Sequence, residues 1–75
     1  MTLGELSKIL HDMYENAPRG EKTTMIHLFG IKYADAIRNS DFTIKELLKA
    51  ADMYESYNVE VNKGISLAKY VTLKG

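Results

Sequence analysis

The chain contains no cysteine and no tryptophan, and it has a single proline. Without cysteine it has neither a disulfide framework nor the thiolate ligands of a zinc knuckle, so a small hydrophobic core must stabilise the fold. A reducing compartment is the default for such a composition, and we expect a cytoplasmic protein. The 75 residues predict one domain, residues 1–75, that buries about 60 to 65 % of its unfolded surface.

Long apolar runs are also lacking. No run approaches the ~18 apolar residues that a membrane span requires, and residues 1–8 lack the basic start and continuous apolar stretch of a signal peptide. We therefore expect no membrane partner. Ten basic and ten acidic residues cancel, which argues against binding to nucleic acid by net charge alone. The charge is nevertheless uneven, because residues 61–75 contain three lysines and no acid.

The residue types needed for catalysis or metal binding do not occur in suitable patterns. His11 and His27 are the only histidines, and no cysteine can join them in a metal site. No serine lies in a nucleophile elbow and no glycine cluster forms a phosphate loop. The acidic side chains are typical of solvated helix faces. We predict a protein that is not an enzyme and has no cofactor, metal or small-molecule substrate.

Two capping boxes mark the starts of predicted helices. In each, a threonine hydroxyl accepts from an early helical amide and a glutamate reaches back to the threonine amide: Thr2 with Glu5, and Thr43 with Glu46. Apolar residues at helical spacing follow both boxes. The first helix is expected to end at residues 16–20, because Pro18 disfavours helical geometry in the residue before it.

The most apolar segment of the chain extends from Glu21 to Ile37. Its apolar residues keep helical spacing, but Gly30 in the middle costs a helix about 1 kcal/mol relative to alanine. One long helix and two short helices that meet near Gly30 both fit this pattern. A strand through residues 23–29 fits less well, since apolar and polar residues do not alternate there.

The segment from Tyr54 to Gly64 fits either a helix or a strand followed by a turn. Its position after a capped helix, and helical spacing that continues to Val71, favour the helix. Gly64 then either ends that helix, leaving residues 69–73 as a short extended tail, or lies in a hairpin turn that makes residues 57–73 a wing. We predict the helix, within an all-α, compact fold of four to five helices.

From Thr43 onward the sequence resembles a helix-turn-helix unit of the phage-repressor kind. It has a short capped helix, small residues at Ala50 and Ala51, and Ser56 as a cap for a second helix. Asp52 occupies the turn position that glycine usually fills, and Val59 is the apolar residue expected within the second helix. The whole chain is also similar to small helix-turn-helix-like domains of bacterial and phage proteins.

This resemblance implies a small DNA-binding domain, regulatory or associated with phage or defence, whose second helix, about residues 56–64, enters the major groove. Asn58 and Asn62 would pair with adenine, and Lys63 would reach guanine or phosphate. Four lysines would position the domain on phosphates: Lys45, Lys49, Lys69 and Lys74. The candidate DNA-binding residues are Lys45, Lys49, Ser56, Tyr57, Asn58, Asn62, Lys63 and Lys69.

Other features of the sequence limit DNA binding or favour a different partner. Glu55 and Glu60 would repel phosphate unless they accept from cytosine, so we expect weak DNA binding by the isolated domain. Zero net charge favours a protein partner. Tyr54, Tyr57 and Tyr70 carry rings that suit either the edge of a core or a protein interface. The alternative hypothesis is therefore a protein-interaction module that docks a partner protein, or a second copy of itself as a homodimer, through the same helical surface.

Overall fold

A computed structural model describes residues 1–74 of the chain. This part contains no strand and five α-helices: α1 (Leu3–Glu15), α2 (Lys22–Lys32), α3 (Ala34–Arg38), α4 (Ile44–Ala50) and α5 (Asn58–Leu67). A 3-10 turn at Glu55–Tyr57 leads directly into α5. The predicted all-α fold is confirmed, and the hairpin-wing alternative is wrong. No helix within residues 1–74 has both the length and the apolar character to cross a membrane.

Both capping boxes form as predicted. The Thr2 hydroxyl accepts from the Glu5 amide at 3.1 Å, and the Thr2 amide donates to the Glu5 carboxylate at 2.9 Å. Thr43 and Glu46 make the same two bonds at 3.1 and 2.8 Å. These bonds satisfy amides that the first turn of a helix leaves without partners. They explain why α1 and α4 begin where the sequence predicted.

The hydrophobic core lies between α1, α2, α4 and α5. Among the helix pairs, α2 and α5 pack against each other most extensively. The largest fully buried side chains come from all four helices: Phe29, Leu6, Leu10, Ile26, Leu47, Leu48 and Val61. Each of these helices therefore keeps only one face available to solvent.

The crossing of α2 and α5 depends on two buried glycines, Gly30 and Gly64. A β-carbon at Gly30 would lie 2.7 Å from the Val61 carbonyl oxygen, and one at Gly64 would lie 2.9 Å from the Gly30 α-carbon and would overlap the His27 carbonyl. The two backbones are thus in direct contact, with no room for side chains between them.

This contact corrects the prediction for Gly64. Of the two patterns left open for Gly30, the structure has two helices that meet near it, α2 and α3. Gly64 neither ends α5 nor forms a turn, because the helix continues through it to Leu67. The chain also remains helical through Gly30, and the break between α2 and α3 lies at Tyr33 instead. In both helices the favourable close approach of two backbones outweighs the intrinsic cost of glycine.

The turn after α4 has the backbone that the sequence predicted. Asp52 has φ +59° and is the one residue other than glycine with positive φ in residues 1–74. The Asp52 amide donates to the Lys49 carbonyl at 3.1 Å, and the Met53 amide donates to the Leu48 carbonyl at 2.9 Å. This is the Schellman type of helix ending, in which glycine normally holds the left-handed position. Nδ1 of His11 also donates to the Ala51 carbonyl at 2.8 Å.

Asp52→Gly is expected to raise the free energy of unfolding by about 0.5 to 1 kcal/mol. It removes the steric cost of a left-handed side chain and a carboxylate beside the negative end of the α4 dipole, although glycine also makes the unfolded chain more flexible. Urea denaturation measures the change. Asp41→Gly is the matched control, because Asp41 is exposed and does not have positive φ. Equal stabilisation by both substitutions would contradict this explanation.

Candidate nucleic-acid interface

Helix α5 has one buried side and one exposed side. Val61 and Gly64 are buried against the core. Because successive helical residues are rotated by about 100°, the residues farthest from Val61 are Val59, Lys63 and Ser66, with Tyr70 continuing the same line beyond the helix. These residues are exposed, as is Asn62 beside them. We call this set the outer face of α5: Val59, Asn62, Lys63, Ser66 and Tyr70.

The outer face lines an open groove of about 640 Å³, which also borders His27, Asn58 and Leu67. The apolar side chains in it are strongly exposed, with Val59 52 %, Leu67 42 % and Tyr70 83 % accessible. Between them lie an amide, an ammonium group and a hydroxyl. The groove can therefore make hydrogen bonds and also bury apolar surface against a partner.

Glu60 is held on the side of α5 that faces α2. One of its carboxylate oxygens bonds to Nε2 of His27, and the other lies 3.5 Å from the Lys63 ammonium group. The hydrogen bond to His27 lowers the pKa of Glu60; partial burial opposes this shift, and Lys63 adds to it. Glu60 is therefore not the free carboxylate of the groove that the sequence suggested. Glu55 remains exposed in the 3-10 turn.

The structure separates the predicted site residues of the second helix. Asn62 and Lys63 lie on the outer face and line the groove. Asn58 is half-buried at the start of α5, where its amide donates to the Glu55 carbonyl at 2.8 Å. The Asn62 amide likewise donates to the Asn58 carbonyl at 2.9 Å, which leaves its side-chain oxygen to accept from a ligand.

Tyr57 belongs to the edge of the core. Its hydroxyl bonds to the Tyr14 hydroxyl at 2.9 Å, and the two rings meet edge to face with centroids 5.4 Å apart. The hydrogen bond to Tyr14, with burial, raises the pKa of Tyr57. This pairing joins α1 to the start of α5 and leaves Tyr57 poorly placed to contact a base.

Ser56 does not cap the second helix as predicted. No side chain caps either the 3-10 turn or α5, and Ser56 is exposed. The 3-10 turn instead continues directly into α5, so the helix has no separate start that a serine could cap.

The predicted lysines lie on different parts of the surface. Lys69 is exposed in the turn that follows α5 and does not line the groove. Lys45 and Lys49 are exposed on α4, and Lys49 lines a separate depression with Leu3, Glu46 and Ala50. The α4 lysines and Lys63 therefore do not share one pocket.

Sequence reasoning missed three residues that line the groove: Val59 as an exposed side chain, Ser66 and Leu67. Tyr70, which also lines it, was expected at a core edge or a protein interface. Helical periodicity measured from Val61 would have found Val59 directly, but Ser66 and Leu67 only with α5 continuing through Gly64. No group of His, Asp or Glu side chains within residues 1–74 is arranged to hold a metal ion.

A protein-family model described as an HTH-like domain matches residues 2–74. The matched region includes all five helices and the predicted helix-turn-helix unit of α4 and α5. Neither the curated proteins nor the solved structures contain a match to this chain.

Proposed function

The chain belongs to the family of HTH-like domains, and on this basis we propose that it is a single regulatory domain that binds double-stranded DNA. In this arrangement α4 crosses the phosphate backbone and α5 enters the major groove, as the two helices of a helix-turn-helix unit do. The family itself suggests a DNA-binding or regulatory role. The assignment of α5 to the groove is the proposal.

The observation that carries this proposal is the position of Glu60. It is the only acidic residue of α5, and its carboxylate bonds to His27 of α2 instead of lying on the outer face. The outer face consequently presents Asn62, Lys63 and Ser66 without a carboxylate of its own helix. Such a surface can approach phosphate with less repulsion than the sequence predicted, although Glu55 remains exposed and Lys63 lies 3.5 Å from the Glu60 carboxylate.

The roles of individual residues follow from their exposure. The side-chain oxygen of Asn62 can accept from the adenine amino group, and Lys63 can reach guanine or phosphate. Ser56, Lys45, Lys49 and Lys69 are exposed and would contact phosphates, which positions the domain without specifying sequence. These proposed contacts exclude Tyr57, whose hydroxyl is bonded to Tyr14, and Asn58, which is half-buried whereas Asn62 is exposed.

A residue-by-residue NMR titration with a mixed-sequence duplex at low salt tests the proposal. We expect amide shifts concentrated in residues 59–70 and binding that weakens steeply with salt. Lys63→Gln should weaken binding severalfold and reduce the log–log salt slope by about one. Lys8→Gln is the matched control, since Lys8 is exposed on α1 and pairs with Asp12 at 2.8 Å. An absence of shifts in residues 54–74 would refute DNA binding through α5.

The exposed apolar side chains of the groove favour protein docking as a second candidate function. Val59, Leu67 and Tyr70 together form an apolar surface that a partner protein or a second copy could cover. A sedimentation coefficient that rises with protein concentration would support a homodimer. Leu67→Ser should then abolish this rise. A strictly monomeric chain from which no partner is recovered would count against this function.

A further inference from the structure

We propose that Val59 reads the 5-methyl group of thymine, so that the duplex this chain selects contains thymine at a fixed position. This inference rests on the proposed DNA binding, since it names the base that the outer face contacts. Val59 was predicted from the sequence as an apolar residue within the second helix. The structure places it on the side of α5 opposite the buried Val61.

The position of Val59 is unusual for a branched apolar side chain. It is the second residue of α5, it is 52 % exposed, and it points away from the buried Val61. In helix-turn-helix proteins the N-terminal residues of the second helix are those that contact base edges. Val59 therefore lies at the end of α5 where sequence is read.

The chemistry of the major groove leaves Val59 one class of partner. Guanine, adenine and cytosine are recognised there through their hydrogen-bonding groups and carry no methyl group, whereas thymine presents its C5-methyl group. A valine side chain cannot donate or accept, so it gains affinity only by removing apolar surface from water. The thymine methyl group is the only methyl group, and the largest apolar surface, that a base edge in the major groove offers it.

Asn62, which neighbours Val59 on the outer face, determines which base lies near that thymine. Asn62 follows Val59 by three residues and lies about one turn along the helix, so their β-carbons are about 5–6 Å apart. Base pairs are stacked at about 3.4 Å. The thymine contacted by Val59 and an adenine contacted by Asn62 should therefore fall within about two base pairs of each other.

The other exposed apolar residues of the groove cannot perform this role at the same base. Leu67 is eight residues beyond Val59, which corresponds to about 12 Å along the helix axis. Tyr70 lies beyond the end of α5. Both are at the C-terminal end of the helix, where contacts with the sugar-phosphate backbone or a partner protein are the expected ones.

Substitution of deoxyuridine for thymidine tests the inference, because it removes only the methyl group and preserves base pairing. A duplex is first selected from a random pool by the full chain at low salt and then resynthesised with its thymines replaced one at a time. At one position we expect about fourfold weaker binding by the wild type, the effect of burying one methyl-sized group. Val59→Ala should bind the two duplexes equally.

Val71→Ala is the matched control, because Val71 is also an exposed valine, 45 % accessible, but lies in the tail beyond α5. It should retain the preference for thymine. Equal binding of thymine and uracil duplexes by the wild type would overturn the inference and leave DNA binding intact. A preference that persists in Val59→Ala would assign the methyl group to another residue and also overturn it. If no duplex is enriched, the proposed function itself fails.

Discussion

Gly64→Ala is expected to lower the free energy of unfolding by about 2 to 3 kcal/mol, although alanine favours a helix over glycine by about 1 kcal/mol. The added β-carbon would overlap the His27 carbonyl and would lie 2.9 Å from the Gly30 α-carbon. Both obstacles are backbone atoms, so no side chain can rotate to make room and the two helices must separate. Urea denaturation measures the loss.

The matched control is Gly4→Ala in α1. The nearest atom that its β-carbon would meet is the Thr2 hydroxyl oxygen at 3.9 Å, which is ordinary van der Waals contact. This substitution should raise stability by up to about 1 kcal/mol through helix propensity. Gly30→Ala should resemble Gly64→Ala, since its β-carbon would lie 2.7 Å from the Val61 carbonyl oxygen. Wild-type stability of Gly64→Ala would refute the close crossing of α2 and α5.

Phe29→Ala is expected to lower the free energy of unfolding by about 3 to 5 kcal/mol. Phe29 is fully buried in α2, and its ring packs against Tyr33 with centroids 5.1 Å apart. Its removal leaves a cavity that the surrounding helices fill only in part. A domain of this size has a total stability of only about 4 to 11 kcal/mol, so much of the native population should be lost. Near-ultraviolet circular dichroism and urea denaturation report this directly.

Phe42→Ala makes the same chemical change at the periphery. Phe42 is half-buried and packs against the core from the loop before α4. We expect it to cost about 1 to 2 kcal/mol, because it loses less buried area and water can fill the space. Equal effects of the two substitutions would show that the centre of the core is not at Phe29.

Local interactions were the part of the fold that the sequence could predict. Each capping box joins residues three apart, and the turn at Asp52 is set by bonds to the preceding helical turn. Such features depend on neighbours along the chain, so their residue types identify them. This is why the starts of α1 and α4 and the all-α class were predicted correctly.

The role of Gly64 could not be predicted in this way. A glycine suits the end of a helix, a hairpin turn or a close helix crossing, because all three need a residue without a β-carbon. The position of α2 decides among the three, because α2 contacts α5 at Gly64 although the two helices are far apart in the sequence. The assignment of Ser66 and Leu67 to the groove depends on the same decision, since α5 must continue through Gly64 before these residues have a helical position.

A second non-local effect limited the prediction of the candidate site from the sequence. The sequence shows that Glu60 is acidic but not that its partner is His27, 33 residues earlier in the chain. A tally of charges therefore overestimated the negative charge on the outer face. Tyr57 was misassigned for the same reason, because Tyr14 comes from a different helix.

The backbone contact between Gly30 and Gly64 also restricts the motion of α5. A helix that touches its neighbour through side chains can rotate about its axis as those side chains change rotamer, but one that touches backbone to backbone cannot. The outer face should consequently have the same orientation before and after a ligand binds. Little backbone entropy of α5 is then lost on binding, and the entropic cost comes mainly from ordering the exposed side chains of the outer face.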